Sequence, residues 1–549
     1  MTEGTRFSLD LLHHQPARVV DHEATKLALT LAFAGGSSGG LFNDALDGAV
    51  VAPSGFKAEE FANELFLNRF VSQCLRIRVG SRDAVLNTRY LGRLLASPPA
   101  DVRTIQFRRS VLAELVQDAA YQRELHEVYA SLCRLRGLME NAGGVRVFDA
   151  NRRKLDILQA VREIVDRMAN GFAGATSGLA RLTEFGCRFR AGEAYRSLVD
   201  LLQYDSRSAT VNVRVGVGAD GTITGFEIVS ISEEQRNPFV NPVWRRWFAK
   251  FELFLRGYRF GEGEVLARFI DAVFTGIEDE LVELVQLFGA LEFYLGALGF
   301  RDTALNAGLG VCLPDFVQPS EARELKGLFN PLLLMSGVVP IPCTIASNPG
   351  ASTVLVTGPN SGGKTRLLQS LGWAQILAQC GLFIPASSGR VTLVTGLVAS
   401  LIEEAKVDQA EGRLGMELMR IRGLFERLGP GAMVLLDELC SGTNPSEGEQ
   451  IFELVVTMLT RLHPQAFITT HFLAFANHLA ETSKIPGLSF LQVELDGERR
   501  PTYQFARGVA RSSLAGHTAE RLGVTGEQLL ALIERNLRVQ YAFSPFAAN

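Results

Sequence analysis

The chain has 549 residues, of which 47% are hydrophobic and 21% charged, with a formal net charge of −4 at pH 7. At roughly 150 residues per domain this length predicts two to four folded units, and the apolar content excludes general disorder. The net charge provides no global attraction for nucleic acid, so any contact with DNA requires a local basic surface.

Cysteine usage and the N-terminus bear on the compartment. The seven cysteines are odd in number and never form a CxxC pair, a pattern that favours buried thiols in a reducing compartment over a zinc site or a disulfide framework. The N-terminus lacks a signal-peptide pattern, and no apolar run reaches the ~18 residues that a membrane span requires. The sequence therefore predicts a cytoplasmic protein that does not cross a membrane.

The N-terminal half is predicted to be mainly helical. Residues 1–55 are mixed in character and receive no predicted role. From 56 to 300, apolar residues recur at spacings of three and four, as in EEFANELFLNRFV and ELVELVQLFGALEFYLGAL, which is typical of amphipathic helices. Inside this region, valines alternate around a turn with Asp220 and Gly221. This alternation predicts a β-hairpin over 210–231.

The pattern changes again in the C-terminal part, from 301 to 549. Short apolar runs broken by Gly, Pro and Asn come first, and from 351 onward strands alternate with helices. This order predicts an α/β domain with a parallel sheet and helices on both faces.

A phosphate-binding motif follows the first strand of this α/β region. The loop reads GPNSGGKT and fulfils the pattern G-x-x-x-x-G-K-[ST] between a predicted strand and a helix. Its backbone N–H groups and the helix N-terminus would face a polyphosphate. The alternative is an ordinary glycine turn with a surface lysine. The predicted ATP-binding residues are Gly358, Pro359, Asn360, Ser361, Gly362, Gly363, Lys364 and Thr365.

Polar residues at the ends of three strands predict the chemistry of a P-loop NTPase. Lys364 would contact the β and γ phosphate oxygens, and the Thr365 hydroxyl would ligate Mg²⁺. After the buried run MVLL, Asp437 would hold Mg²⁺ and Glu438 would orient or deprotonate the attacking water. His471 follows a third strand, QAFITT, and can donate to the γ-phosphate. An acidic pair is common at strand ends and a lone histidine is more often structural, but their order after a complete phosphate-binding loop predicts a Mg²⁺-dependent ATPase.

Together, TGPNSGGKT, LLDELCSGTNPSEG and ITTHF resemble the MutS family of DNA-repair ATPases. Asn360 and the pair Gly442 and Thr443 distinguish the pattern from generic P-loop proteins. Weaker resemblance extends to LFNPLLL (328–334), to 508–524 and to 94–115. The resemblance implies an ATPase domain at 301–549, a helical core, lever and clamp region at 56–300, and a homodimer that holds DNA between its subunits. The GTNPSEG turn is closer to the branch with Smr nuclease tails, and we expect neither that tail nor a mismatch-wedge domain here.

The segment before the acidic strand departs from the family pattern. MutS-like proteins carry a Ser-Thr-Phe stretch that reaches the partner subunit's nucleotide, whereas residues Glu411 to Met416 read EGRLGM. Either Arg413 supplies this contact in trans or the contact is lost. The second case would leave a nucleotide-gated dimer with little hydrolysis.

Candidate DNA contacts lie in a basic and aromatic stretch at 241–260. Arg245, Arg246 and Lys250 alternate there with aromatic residues, a composition that suits phosphate binding and stacking. An amphipathic core helix with a solvated basic face explains the same composition, and Arg108 and Arg109 are candidates of the same kind. We expect ATP-controlled binding of mismatched or branched DNA in repair or recombination control, with a ribosome or another protein complex as the alternative partner.

Overall fold

The computed structural model describes residues 8–35, 39–140, 150–206, 210–217, 223–232, 262–347, 353–401, 413–440, 445–482, 485–510 and 524–542. Contacts between Cα atoms divide the chain into two compact units. The helical unit comprises Met1–Leu11, Pro16–Ala49 and Asp118–Phe288, and the sheet unit comprises Leu12–Gln15, Val50–Gln117 and Gly289–Asn549. The division at 55 and 300 that periodicity suggests remains a prediction.

The helices and strands of the described residues follow in chain order. The helices are α1 (His22–Ala34), α2 (Leu41–Asp47), α3 (Leu67–Cys74), α4 (Thr88–Ala96), α5 (Val102–Gln117), α6 (Ala119–Glu140), α7 (Ala150–Gly171), α8 (Ala180–Ala191), α9 (Glu193–Ser206), α10 (Glu262–Thr275), α11 (Glu278–Asn306), α12 (Pro331–Met335), α13 (Lys364–Cys380), α14 (Arg413–Arg427), α15 (Pro445–Thr460), α16 (Leu473–Thr482) and α17 (Gly526–Ala542). The strands are β1 (Arg78–Val79), β2 (Arg82–Asp83), β3 (Thr210–Val217), β4 (Ile223–Ser232), β5 (Asp315–Phe316), β6 (Arg323–Leu328), β7 (Cys343–Ser347), β8 (Thr353–Thr357), β9 (Ser388–Val391), β10 (Leu397–Ser400), β11 (Met433–Leu436), β12 (Gln465–Thr470), β13 (Leu488–Leu495) and β14 (Pro501–Arg507).

Most of the N-terminal segment belongs to the helical unit. Its backbone N–H groups at Leu9 and Val19 donate to the side chains of Glu283 and Gln286 on α11, at 2.7 and 2.8 Å. Both acceptors are buried, so these bonds satisfy polar groups that burial would otherwise leave without partners. The segment that received no role from its sequence therefore stabilises this unit.

The predicted hairpin is confirmed in the helical unit. Strands β3 and β4 pair antiparallel from Thr210↔Ser232 to Val217↔Ile223. The turn residues Asp220 and Gly221 lie outside the described residues. The alternating valines thus form a two-stranded ribbon within a helical region.

Helix α11 corrects the expectation that no segment is long and apolar enough to cross a membrane. It has 29 residues, and an 18-residue window within it has a mean hydropathy of 1.5. That window is wholly buried inside the protein, as in a core helix, which can meet the same criteria of length and composition. Among the described residues it is the only helix that meets these criteria.

The main sheet of the sheet unit has the strand order β10-β11-β12-β8-β13-β14. The predicted parallel arrangement is confirmed for its first five strands. It is wrong for β14, which runs antiparallel to β13. Every residue of β8 and β11 is buried, as expected for parallel strands that are covered on both faces.

Alternate residues of β11 show which helices cover each face. Val434 and Leu436 belong to an apolar cluster with residues of α14, α15 and α16. Leu435 points to the opposite face, where a Cβ added at Gly372 of α13 would lie 3.0 Å from its Cδ1 atom. Helices therefore lie on both faces of the sheet.

A second sheet in this unit was not predicted. Its strand order is β5-β9-β6-β7, and it accounts for part of the short apolar runs between 300 and 350. These strands have between two and six residues, which is too short for a clear period in the sequence.

The N-terminal part of the sheet unit packs on α13. The Trp373 indole is fully buried and stacks on the Phe70 ring with centroids 3.8 Å apart. Its Nε1–H donates to the Leu65 carbonyl at 3.1 Å. These contacts fix the helix that follows the glycine-rich loop.

Arg108 is wrong as a DNA contact because its side chain is fully buried. Its guanidinium donates to the carbonyls of Leu12 at 2.8 Å and Cys380 at 3.4 Å. Cys380 is the last residue of α13, where a cation stabilises the negative end of the helix dipole. Arg109 is half-buried, and its guanidinium carbon lies 5.5 Å from the centre of the Phe316 ring.

Replacing Trp373 tests this packing. We expect Trp373→Ala to lower the free energy of unfolding by about 3–5 kcal/mol because it leaves a large cavity. Trp373→Phe keeps a buried ring and loses one hydrogen bond, so its cost should be near 1 kcal/mol. Chemical denaturation followed by circular dichroism measures both, and equal midpoints for the two variants would contradict the cavity argument.

Candidate nucleotide-binding site

The predicted site residues follow strands that end at one edge of the main sheet. The parallel register aligns Thr357 of β8 with Thr470 of β12, and Leu436 of β11 with Ile468 of β12. The segments that follow these strands therefore meet at their carboxyl ends, where ligands bind in open α/β sheets.

Space and backbone angles explain the glycines of the loop between β8 and α13. Gly358 has a φ of 147° and Gly363 a φ of 87°, a region in which residues other than glycine are strained. A Cβ at Gly358 would lie 2.6 Å from the Val493 Cγ2 atom. Helix α13 begins at Lys364 without a side-chain cap. The N-terminus of α13 therefore remains available to an anion.

The Lys364 side chain folds back into this loop. Its Nζ donates to the carbonyls of Gly358 and Pro359 at 3.1 and 3.2 Å and lies 3.8 Å from Glu438 Oε1. The side chain is only 5% exposed. Burial lowers the pKa of Lys364, while the nearby carboxylates of Glu438 and Asp437 oppose that shift. Burial thus disfavours the charged ammonium form, and a further anion placed beside it would favour that form.

The Asp437 carboxylate is bonded to residues of two other elements. Its Oδ2 accepts from the Thr365 hydroxyl of α13, and its Oδ1 accepts from the Thr469 hydroxyl of β12. The Thr469 oxygen also accepts from the Glu438 N–H at 2.8 Å. The adjoining hydroxyl and carboxylate oxygens of Thr365 and Asp437 are the hard ligands that Mg²⁺ prefers, so the pair fits this ion.

Glu438 and His471 lie at the same edge. Glu438 adopts a positive φ of 49°, and its side chain is 38% exposed. The side chain of His471 is exposed, and its ring centre lies 4.3 Å from that of Phe472. The structure therefore brings Lys364, Thr365, Asp437 and Glu438 into one cluster, and His471 follows β12 at its edge.

Several other predicted contacts cannot be placed. Arg413 is the first residue of α14, and its side chain lies outside the described residues. The same holds for the whole of Gly442, Thr443, Arg245, Arg246 and Lys250. Their roles remain predictions.

Tyr503 and Thr469 belong to the site although sequence reasoning missed them. Tyr503 on β14 is 43% exposed with a φ of 60°, and a Cβ at Gly363 would lie 3.1 Å from its Cδ1 atom. No motif marks this tyrosine in the sequence. Thr469 lies two residues before the predicted His471, at the end of the same strand, so the position of that strand end was the only signal in the sequence.

A parallel sheet with a glycine-rich loop entering a helix, and an acidic pair two strands away, defines the class of P-loop-like α/β domains. Residues 354–534 match the family described as MutS domain V. Within residues 354–534 the chain therefore carries a domain of the MutS family.

Similar curated proteins bear the name Endonuclease MutS2. The protein from Thermomicrobium roseum is 26% identical over 474 residues, which are 81% of this chain and 56% of the relative. The Streptococcus gordonii protein is 28% identical over 49% of this chain and 34% of its own length. The Streptococcus sanguinis protein is 35% identical over 31% and 22%, respectively. The matched part of this chain thus spans about half the length of the first relative and less of the others.

Replacing Thr469 tests the bridge between β11 and β12. Thr469→Val removes the hydroxyl that bonds both Asp437 and the Glu438 amide, and we expect the free energy of unfolding to fall by about 1–3 kcal/mol. Thr469→Ser keeps the hydroxyl and should recover most of this loss. Thermal unfolding measures the difference. If Thr469→Val unfolds at the same temperature as the parent, the bridge does not contribute to stability.

Proposed function

We propose that this chain binds ATP with Mg²⁺ and hydrolyses it at the carboxyl edge of its main sheet. One observation carries the proposal. Lys364, Thr365, Asp437 and Glu438 converge around a glycine-rich loop and the uncapped start of α13. Cation, hydroxyl and carboxylates in this arrangement are what phosphoryl transfer requires.

The loop and α13 would bind the triphosphate. The loop amides and the positive end of the helix dipole attract phosphate oxygens. Lys364 would exchange its bonds with the carbonyls of Gly358 and Pro359 for the β and γ oxygens. Thr365 and Asp437 would hold Mg²⁺, which when bound neutralises charge on the phosphates.

Glu438 is the proposed base for the attacking water. The Glu438 backbone N–H donates to the Thr469 hydroxyl at 2.8 Å, and the Glu438 carboxylate lies 3.8 Å from the Lys364 ammonium group. A partly exposed carboxylate at this place can orient water toward a γ-phosphate. His471 is proposed as a donor to the same phosphate.

The nucleotide base has a candidate surface beside the loop. The Tyr503 ring lies against Gly363 and offers a face for stacking. Its neighbour Gln504 donates from Nε2 to the Pro342 carbonyl at 2.9 Å. This bond connects β14 to Pro342, and the side chains of Val339 and Ile341, which precede Pro342, are exposed. We propose that these apolar groups contact the adenine.

Separate losses of binding and turnover test the site. Lys364→Ala should abolish tight ATP binding, because the phosphates lose their buried cation. Glu438→Gln should keep ATP binding and lower turnover about 100-fold or more. Equilibrium binding and phosphate release measure the two effects. Matched controls are Lys326→Ala and Glu426→Gln, since both side chains are exposed. Parent-like hydrolysis by both site variants would contradict the assignment.

We further propose that ATP controls DNA binding by a homodimer of this chain in the bacterial cytoplasm. Membership in a family of DNA-repair ATPases supports the DNA partner, and the curated relatives are endonucleases by name. Mismatched or branched DNA is the proposed substrate, acted on in repair or recombination control. The nuclease activity in the relatives' name is not part of the proposal.

A binding panel tests this partner. We expect ATP or a non-hydrolysable analogue to change affinity for mismatched or branched DNA by about fivefold or more, the usual size of coupling between sites. Gel-shift assays with plain, mismatched and branched DNA and with ribosomes provide the comparison, with Lys364→Ala as control. If nucleotide changes the affinity for ribosomes but not for any of the DNA structures, the ribosome is supported as the partner. An equal response of Lys364→Ala would show that the site does not control binding.

A further inference from the structure

The turn that carries the acidic pair has a strained backbone. Glu438 and Cys440 adopt φ angles of 49° and 65°, although neither is glycine. Such conformations are costly and persist only where the surroundings hold them in place. The contacts that hold this turn therefore also fix the direction of the Glu438 carboxylate.

Arg420 of α14 holds the first end of the turn. Its Nε donates to the Ser400 hydroxyl at 2.6 Å, and its Nη2 donates to the Ser400 carbonyl at 2.9 Å. The same Nη2 lies 3.4 Å from the Asp437 carbonyl. The guanidinium thus joins the end of β10 to the residue that follows β11.

Glu417 holds the other end from the same helix. Its Oε1 accepts from the Cys440 N–H at 2.9 Å and lies 3.5 Å from Arg420 Nη1. Both side chains are largely buried, so this charge-assisted contact is shielded from water. One helix therefore holds both ends of the strained turn, with Glu438 between them.

We propose that Arg420 and Glu417 are positioning residues for ATP hydrolysis. They hold the Asp437–Cys440 turn so that the Glu438 carboxylate stays opposite Lys364. We call this pair, Arg420 and Glu417, the turn clamp, or the clamp for short. Their contacts are with Ser400, Asp437 and Cys440, so they act through the turn and not on the nucleotide. This inference rests on the proposed ATPase function and extends it to residues that no motif marks.

Arg420→Met tests the clamp by separating kcat from binding. A small displacement of a catalytic group can cost about 100-fold in rate. We expect kcat to fall about 10- to 100-fold while the Kd for ATP stays within about threefold, because the loop and Lys364 are unchanged. The kcat of Arg420→Lys should lie between those of the parent and Arg420→Met, since an ammonium group lacks the planar fork that spans Ser400 and Asp437. Arg422→Met is the matched control on the same helix, since the Arg422 side chain is 80% exposed.

A double variant shows whether Arg420 acts through Glu438. In a Glu438→Gln background, Arg420→Met should not reduce turnover further, because the group that the clamp positions is already lost. Additive losses would overturn the proposal.

Hydrogen exchange provides a readout that does not depend on activity. Glu417→Ala removes the acceptor of the Cys440 amide, and we expect that amide to exchange about tenfold faster or more. Arg422→Met should leave its exchange unchanged. Equal protection in Glu417→Ala and the parent would overturn the clamp.

The outcomes distinguish the clamp from the ATPase assignment. A parent protein that does not hydrolyse ATP overturns the proposed function. An active parent with Arg420→Met at the parent's kcat overturns the clamp alone. Equal losses of kcat, ATP affinity and melting temperature would assign Arg420 a merely structural role and overturn the clamp as well. If Arg420→Met does not fold, Arg420→Lys and Glu417→Gln provide the same comparison.

Discussion

The Asp437 carboxylate joins three elements of the sheet unit, and the geometry of the candidate site depends on it. One oxygen accepts from Thr365 at the start of α13, and the other accepts from Thr469 at the end of β12. These bonds are possible only because the parallel register brings the ends of β8, β11 and β12 to one edge. The carboxylate thereby places the proposed metal-ligand pair, Thr365 and Asp437, and the following residue, Glu438, relative to the loop.

Strands β13 and β14 of the sheet shape the loop that faces this carboxylate. Val493 of β13 and Tyr503 of β14 occupy the space where side chains at Gly358 and Gly363 would lie. The antiparallel β14, which the alternation of strands and helices did not predict, therefore contributes directly to the site. It explains why the loop needs glycine at these positions even before a ligand binds.

Local patterns predicted much of the fold and the centre of the site. The glycine loop, the acidic pair and the hairpin each show in a short stretch of sequence, because one element determines them. Arg420, Glu417 and Tyr503 could not be predicted, since their contacts are made with residues of other elements that only the fold brings together. The burial of Arg108 was not predicted for the same reason: an arginine on an amphipathic helix resembles a surface residue, whereas this guanidinium donates to the Cys380 carbonyl at the end of α13.

The organisation of α14 makes the proposed nucleotide binding and the proposed hydrolysis physically separable. Lys364 and Thr365 depend on β8 and α13, whereas the turn that carries Glu438 is held by Glu417 and Arg420 on α14. That helix begins at Arg413, within the segment where the sequence departs from the Ser-Thr-Phe pattern of MutS-like proteins. Glu417 and Arg420 lie within about two helical turns of this start. A displacement there would therefore reach Glu438 through one short, rigid element and leave the phosphate loop in place.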